Sequence, residues 1–230
     1  MKITALTLDT RQPEKLKEFY THILGFEITS EQTESFTVAA GSTTLTFNHD
    51  PKRAEGVYHY AFRIPYHAFE SIKGWLEARV AILPDPDSGL PVVLHEAWEA
   101  KALYFSDPDG NILEFIAHQS IQESEQPELE NGVLSVCEIG LPVPQVPVFA
   151  QELKQAFGLE QWKNANPKFE AVGDAYGMFI LAEENRNWFP TSLPAVLLPT
   201  RVVVEAPLNA SINRYGYGIM HVTRQEVIAG

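Results

Sequence analysis

A unit of one strand, one helix and three further strands recurs along this chain, and that repetition constrains the fold more than any other feature. From Ile3 to Leu8 polar and apolar residues alternate with the period of a half-buried strand. Pro13 follows at a position suited to the first turn of a helix, on which Leu16, Phe19, Tyr20 and Ile23 recur at helical spacing until Gly25 ends it. Three short strands are then expected, at Phe26 to Thr29, Ser35 to Ala39 and Thr43 to Phe47, with Gly41 turning the last pair. Adding 133 to the residue number carries Phe19, Leu24, Gly25, Phe26, Glu27 and Phe36 onto Glu152, Phe157, Gly158, Leu159, Glu160 and Phe169. Five of these six pairs keep their character, and at the sixth Leu16 falls on Phe149, so an apolar helix face survives.

A further copy lies between the two. Val57 to Ile64 reads as its opening strand, Phe69, Ile72, Trp75 and Leu76 share one helix face, and strands around Val92, Ala102 to Ser106 and Ile112 to Ile116 complete it. The acidic stretch from Gln119 to Asn131 reads as a linker. The expected organisation is therefore a pair of modules over 1–118 (1–54 and 55–118), a linker over 119–131, and a third module with extra C-terminal strands over 132–230. One or two extra strands are expected among Trp188-Phe189-Pro190, Thr200 to Glu205 and Gly218 to Val222, with no complete fourth module. The unpaired third module would pack on the first two or meet its copy in a homodimer. The fold class is α+β, with repeated βαβββ modules forming curved mixed sheets around a cleft.

Composition excludes several classes of partner. Lys and Arg total 17 against 30 Asp and Glu, a net charge of −13, so the surface repels phosphate backbones and anionic lipid. No stretch of ~18 apolar residues is present to span a bilayer, and the alternating start reaches Asp9 before a signal-peptide run could form. Cys137 is the single cysteine, which suits a reducing cytoplasm and a role as a small buried filler. Neither a G-x-x-x-x-G-K-[ST] phosphate loop, a C-x-x-C pair nor a G-x-S-x-G elbow is present.

Chemistry concentrates in the middle module. Asp107-Pro108-Asp109-Gly110-Asn111 has strong turn character, and the hairpin it closes places Tyr104 and Glu114 on neighbouring strands. His59 alternates with Ala61 and Arg63 on the more polar face of its strand, opposite Tyr60 and Phe62. Glu114 stands between Leu113 and Phe115, where a buried carboxylate needs a cation or several donors.

On this βαβββ pattern, on Val93-Leu94-His95, and on the run Tyr104-x-x-Asp107-Pro108-x-Gly110-x-x-x-Glu114, the chain resembles the vicinal oxygen chelate superfamily. That superfamily includes glyoxalase I, fosfomycin and bleomycin resistance proteins, and extradiol ring-cleaving dioxygenases, and the dioxygenase pattern fits residues 57–118 best. The resemblance implies that His59 and Glu114 are metal ligands, that His95 is an acid–base group, and that Tyr104 hydrogen-bonds a substrate oxygen. It implies a divalent metal, Fe(II) for a dioxygenase, with Mn, Zn or Ni as alternatives and a metal-free protein as the remaining case. It also implies a small-molecule substrate, an aromatic diol in the first reading. A glyoxalase-type lyase or isomerase, and a non-catalytic binding protein, are the alternatives. One departure matters: Ala5 occupies the first-module position where the family places another histidine, and Leu45 falls near the first-module counterpart of Glu114. His49 or water is then the candidate third ligand. Glu138 falls 133 residues after Ala5 and reads either as a ligand at a site formed in a dimer or as a solvated strand residue.

Overall fold

The computed structural model describes residues 1–121 and 131–222, so most of the expected acidic linker lies outside the described residues. The first module comprises β1 (Lys2–Thr10), α1 (Pro13–Glu18) continued by a wider turn over Phe19–Ile23, β2 (Glu27–Gln32), β3 (Ser35–Ala40) and β4 (Thr43–His49). The second comprises β5 (His59–Arg63), α2 (Phe69–Glu77), β6 (Ile82–Leu83), β7 (Val93–His95), β8 (Ala100–Ser106) and β9 (Ile112–His118). The third comprises β10 (Ser135–Val143), α3 (Val146–Phe157), β11 (Gln161–Asn166), β12 (Phe169–Asp174) and β13 (Gly177–Glu183), and β14 (Thr200–Glu205), β15 (Ser211–Arg214) and β16 (Tyr217–His221) follow. The expected mixed α+β architecture is present. No helix among the described residues is long and apolar enough to cross a membrane.

The modules pair differently from the sequence expectation. One sheet runs β15-β16-β14-β1-β4-β3-β2 and the other β11-β12-β13-β10-β5-β9-β8-β6, with β7 also paired to β8. The first and second modules thus lie in different sheets. The second joins the third through antiparallel β5 and β10, and the first joins the C-terminal strands through antiparallel β1 and β14. Those C-terminal strands form a truncated fourth module: β14 is parallel to β16 and β15 antiparallel to it, as β1 is parallel to β4 and β3 antiparallel to β4. Only residues 206–210 separate β14 from β15, too few for a helix and a second strand. The third module therefore finds its partner within the chain. The physical reason is burial: every residue of β10 is buried, and a strand covered on both faces requires neighbours along both edges.

The main core fills the space between the two sheets and their helices. Tyr60, Phe62, Leu113, Phe115, Ile139 and Leu141 reach it from the second sheet, and Leu6, Leu8, Leu45 and Phe47 from the first. The opposite face of the second sheet carries a smaller cluster built of Ala61, Ala102, Tyr104, Ile112, Ile116, Cys137, Ile180 and Trp188. Alternation along each strand produces both faces, and the second face is the concave one that holds the cavity described below.

The turn from Asp107 to Asn111 locks the starts of two strands together. Asp107 Oδ1 accepts the backbone N–H groups of Asp109 and Asn111, both at 3.0 Å, and Oδ2 accepts Asn111 Nδ2 at 2.8 Å and the Tyr20 hydroxyl at 3.0 Å. Tyr20 in turn bonds Tyr60. Asn111 Oδ1 accepts the Tyr58 N–H at 2.9 Å, immediately before His59. Gly110 has φ of 78°, the left-handed conformation that glycine supplies at little cost. By contrast Asp109 bonds Thr10 and Gln12 at the partly exposed rim. Asp107→Ala is expected to lower the unfolding free energy by about 3 kcal/mol, since several buried donors lose their acceptor, and Asp109→Ala by about 1 kcal/mol. Urea unfolding of the two variants checks this, and equal losses would remove Asp107 from the centre of the network.

Candidate metal centre

Strand register assembles the centre. Glu138 of β10 pairs with Ala61 of β5, Ala61 with Glu114 of β9, and Glu114 with Tyr104 of β8, so the four form one row across the second sheet. Residues paired across strands point to the same face, here the cavity. Ala61 lies between the two glutamates, and its methyl group leaves open space above it. His59, two residues before Ala61 on the same strand, adds its ring to that space from the next row.

Glu138 reaches this face because β10 carries a β-bulge. Its register with β5 passes from Val136–Phe62 directly to Glu138–Ala61, so Cys137 is the extra residue. Without it Glu138 would pair with Tyr60 and meet the apolar core. The bulge turns both Cys137 and Glu138 to the cavity side, with the Cys137 Sγ 3.6 Å from the Ala61 carbonyl oxygen. The first sheet repeats the device, since the β1–β14 register slips between Ile3 and Ala5, the position 133 residues earlier. There the residue delivered is alanine, which binds no metal.

Ligand atoms of His59, Glu114 and Glu138 all lie within 4.8 Å of one another, and all three residues are buried. The His59 Nε2 is 3.7 Å from Glu114 Oε2. His59 Nδ1 donates to the Ile112 carbonyl at 3.1 Å, leaving the Nε2 lone pair directed into the centre. Burial pulls the His59 pKa down to about 4, so the ring is neutral near pH 7 and its approach to Glu114 is not an ion pair. Burial also pushes both carboxyls well above the usual carboxylate range, and Glu138 beside Glu114 raises the latter further. The Glu138 Oε1 has no hydrogen-bond partner among the described residues. One neutral imidazole, two mutually repelling carboxyls and an unsatisfied buried oxygen fit a divalent cation, which would remove both the repulsion and the unsatisfied acceptor.

The other two expected site residues adjoin this centre. His95, at the end of β7, places Nε2 3.0 Å from the Tyr104 hydroxyl and 3.7 Å from Glu114 Oε1. Burial lowers the His95 pKa below its ordinary value. The Tyr104 pKa lies well above its ordinary value through burial and the neighbouring carboxyls, so its hydroxyl keeps its proton. His49 takes no part: it is partly exposed in the other sheet and bonds Glu34 at 2.9 Å. Glu138 is not a solvated strand residue, since it is 2% exposed, and it joins His59 and Glu114 of its own chain without a dimer partner.

A cavity of about 430 Å³ opens over the centre. Trp98, Phe169, Ile180, Trp188 and Phe189 supply its apolar walls. Trp188 and Phe189, in one of the three segments offered for one or two extra strands, lie instead in a hairpin between β13 and β14 whose backbone closes through Asn185 N to Ala195 O at 2.7 Å and Trp188 N to Leu193 O at 2.8 Å. The Trp188 ring packs 5.1 Å from His59, and Phe189 packs 5.4 Å from Tyr104. Gly140 makes room for Trp188, because a Cβ there would lie 2.7 Å from its ring. The only sequence signal for this wall was its aromatic content.

The raised carboxyls set a pH dependence. A carboxyl held above its ordinary 4.5 binds its proton more tightly in the folded state, so its stabilisation is complete below that value and is lost as the pH rises through the raised one. The metal-free protein is expected to lose stability as the pH rises from about 5 through about 8, the raised Glu138 value, and Glu138→Gln to reduce that slope. Denaturant unfolding in the presence of a chelator measures it; identical slopes in the two proteins would show that the carboxyls are not forced together.

Residues 2–115 match the family model of the Glyoxalase/Bleomycin resistance protein/Dioxygenase superfamily. No curated protein sequence matches the chain. Among solved structures, one from Bacillus subtilis described as a "putative dioxygenase" superposes with a TM-score of 0.65 at 14% identity, covering 96% of this chain and 85% of that one. Glyoxalase I from Zea mays superposes with a TM-score of 0.56 at 11% identity, covering 99% of this chain and 94% of that one. At such identities these likenesses concern the fold alone. By the family match residues 2–115, the first two modules, belong to the Glyoxalase/Bleomycin resistance protein/Dioxygenase superfamily, and the repeated βαβββ fold extends over the rest of the chain.

Proposed function

We propose that this protein is a divalent-metal enzyme of the extradiol dioxygenase-like branch, acting on a small aromatic diol. His59, Glu114 and Glu138 are the metal ligands in this reading, with His95 and Tyr104 as the catalytic pair. The observation that carries it is the convergence of three buried ligand side chains beside a hydrogen-bonded His95–Tyr104 pair, on the floor of a cavity with aromatic walls. A bound divalent ion would supply Lewis acidity toward two vicinal oxygens. Neutral His95 is placed to accept a substrate hydroxyl proton at Nε2. Tyr104, kept protonated, donates to a substrate oxygen. Trp188 and Phe189 hold the flat ring and exclude water.

A second reading is favoured by the donor set. The resemblance implied two imidazoles and one carboxylate, whereas one imidazole and two carboxyls converge here. A glyoxalase-type isomerisation or lyase step, in which one glutamate takes a proton from one carbon and returns it to the adjacent carbon, would use the second carboxyl directly.

Anaerobic titration with Fe(II), Mn(II) and Zn(II) tests the shared premise. The wild type is expected to bind one equivalent, and His59→Ala, Glu114→Gln and Glu138→Gln each to weaken binding by about 100-fold or more. His95→Ala is expected to leave metal affinity within a few-fold and to lower turnover by about 100-fold or more. Oxygen uptake with catechols supports the dioxygenase reading, and isomerisation of a thiol–2-oxoaldehyde adduct without oxygen uptake supports the second. A wild type that binds no metal would sink both and leave a small-molecule binding protein.

A further inference from the structure

We infer that Arg186 selects a substrate carrying an anionic group, a carboxylate on an aromatic or apolar body; the vicinal-diol part of that substrate rests on the function proposed above. Arg186 is the only lysine or arginine among the described residues lining the cavity. The charged residues that share the lining are acidic: Glu114, Glu138, Asp85 and Asp87. Asp85 is engaged by its own loop, accepting the backbone N–H groups of Asp87 at 2.8 Å and Ser88 at 3.3 Å.

The Arg186 guanidinium forms neither an ion pair within 4.0 Å nor a hydrogen bond among the described residues; it lies over the Phe169 ring, 4.9 Å from Cζ to centroid. The backbone that carries it is fixed, because Arg186 O accepts the Ala195 N–H at 2.8 Å and Arg186 N donates to Glu183 O at 3.0 Å. Half-buried and held over an aromatic ring, the planar fork is preorganised and keeps its donors free for a ligand. A carboxylate matches that fork in two parallel hydrogen bonds. The body of the ligand is set by the aromatic walls and by Leu94 and Phe189, which leave apolar surface exposed in the cavity lining.

The test compares 3,4-dihydroxybenzoate with catechol by isothermal titration into the Zn(II)-loaded protein, for the wild type, Arg186→Gln and Arg186→Lys. Benzoate and phenol, titrated into the metal-free protein, read the same selection without chelation. The wild type is expected to prefer each carboxylate by about tenfold or more, Arg186→Gln to bring the two affinities within about twofold, and Arg186→Lys to keep part of the preference. Equal affinities in the wild type, a preference unchanged in Arg186→Gln, or binding of no carboxylate would overturn the inference. If the wild type takes up no metal yet prefers benzoate in an Arg186-dependent way, the metalloenzyme reading fails and this inference stands.

Discussion

The antiparallel pairing of β5 with β10, slipped by the bulge at Cys137, is the constraint on which the site depends. It sets Glu138 in line with Ala61, Glu114 and Tyr104 and leaves the space above Ala61 open. A one-residue change in that register would send Glu138 toward Tyr60 and the core, where a carboxylate has no partner. Two carboxyls held this close and this deeply buried cost stability whenever both are ionised. A divalent cation reverses that balance, because it converts mutual repulsion into shared coordination and satisfies the free oxygen of Glu138.

The rest of the molecule holds this row in place. One face of the second sheet anchors the main core through Tyr60, Phe62, Phe115 and Ile139, which frees the other face to carry polar chemistry. The Asp107 network ties the start of β9 to Tyr58 and to the first module's Tyr20, so the strands bearing His59 and Glu114 begin from one hydrogen-bonded knot. The motif that looked catalytic in the sequence thus divides its labour: Tyr104 and Glu114 face the cavity, while Asp107, Gly110 and Asn111 position them. The hairpin between β13 and β14 adds Trp188 and Phe189 to the cavity wall and presents the one lysine or arginine in the lining among the described residues.

Local features were legible in the sequence, and features made by distant pairing were not. The face of His59 followed from alternation along five residues, and the Tyr104–Glu114 juxtaposition followed from the Asp107 turn. The 133-residue offset located Glu138 at the same bulge as Ala5, but its convergence with His59 depends on a strand pair across more than 70 residues, which periodicity does not reveal. The truncated fourth module escaped because it lacks the helix that marks the other three. His49 was attractive only through proximity in sequence to a strand end, and the first sheet carries it away from the cavity. Arg186 and Trp188 sit in an irregular hairpin, where neither strand nor helix spacing signals which way a side chain points.

The most direct test of the account is anomalous diffraction from crystals of the protein soaked with Zn(II) or Mn(II). One strong peak is expected, enclosed by His59 Nε2 and the Glu114 and Glu138 carboxylate oxygens, at about 2.0–2.2 Å from each. A peak elsewhere, or none at these three side chains under saturating metal, would contradict the claim that the bulged β5–β10 pair builds a metal centre.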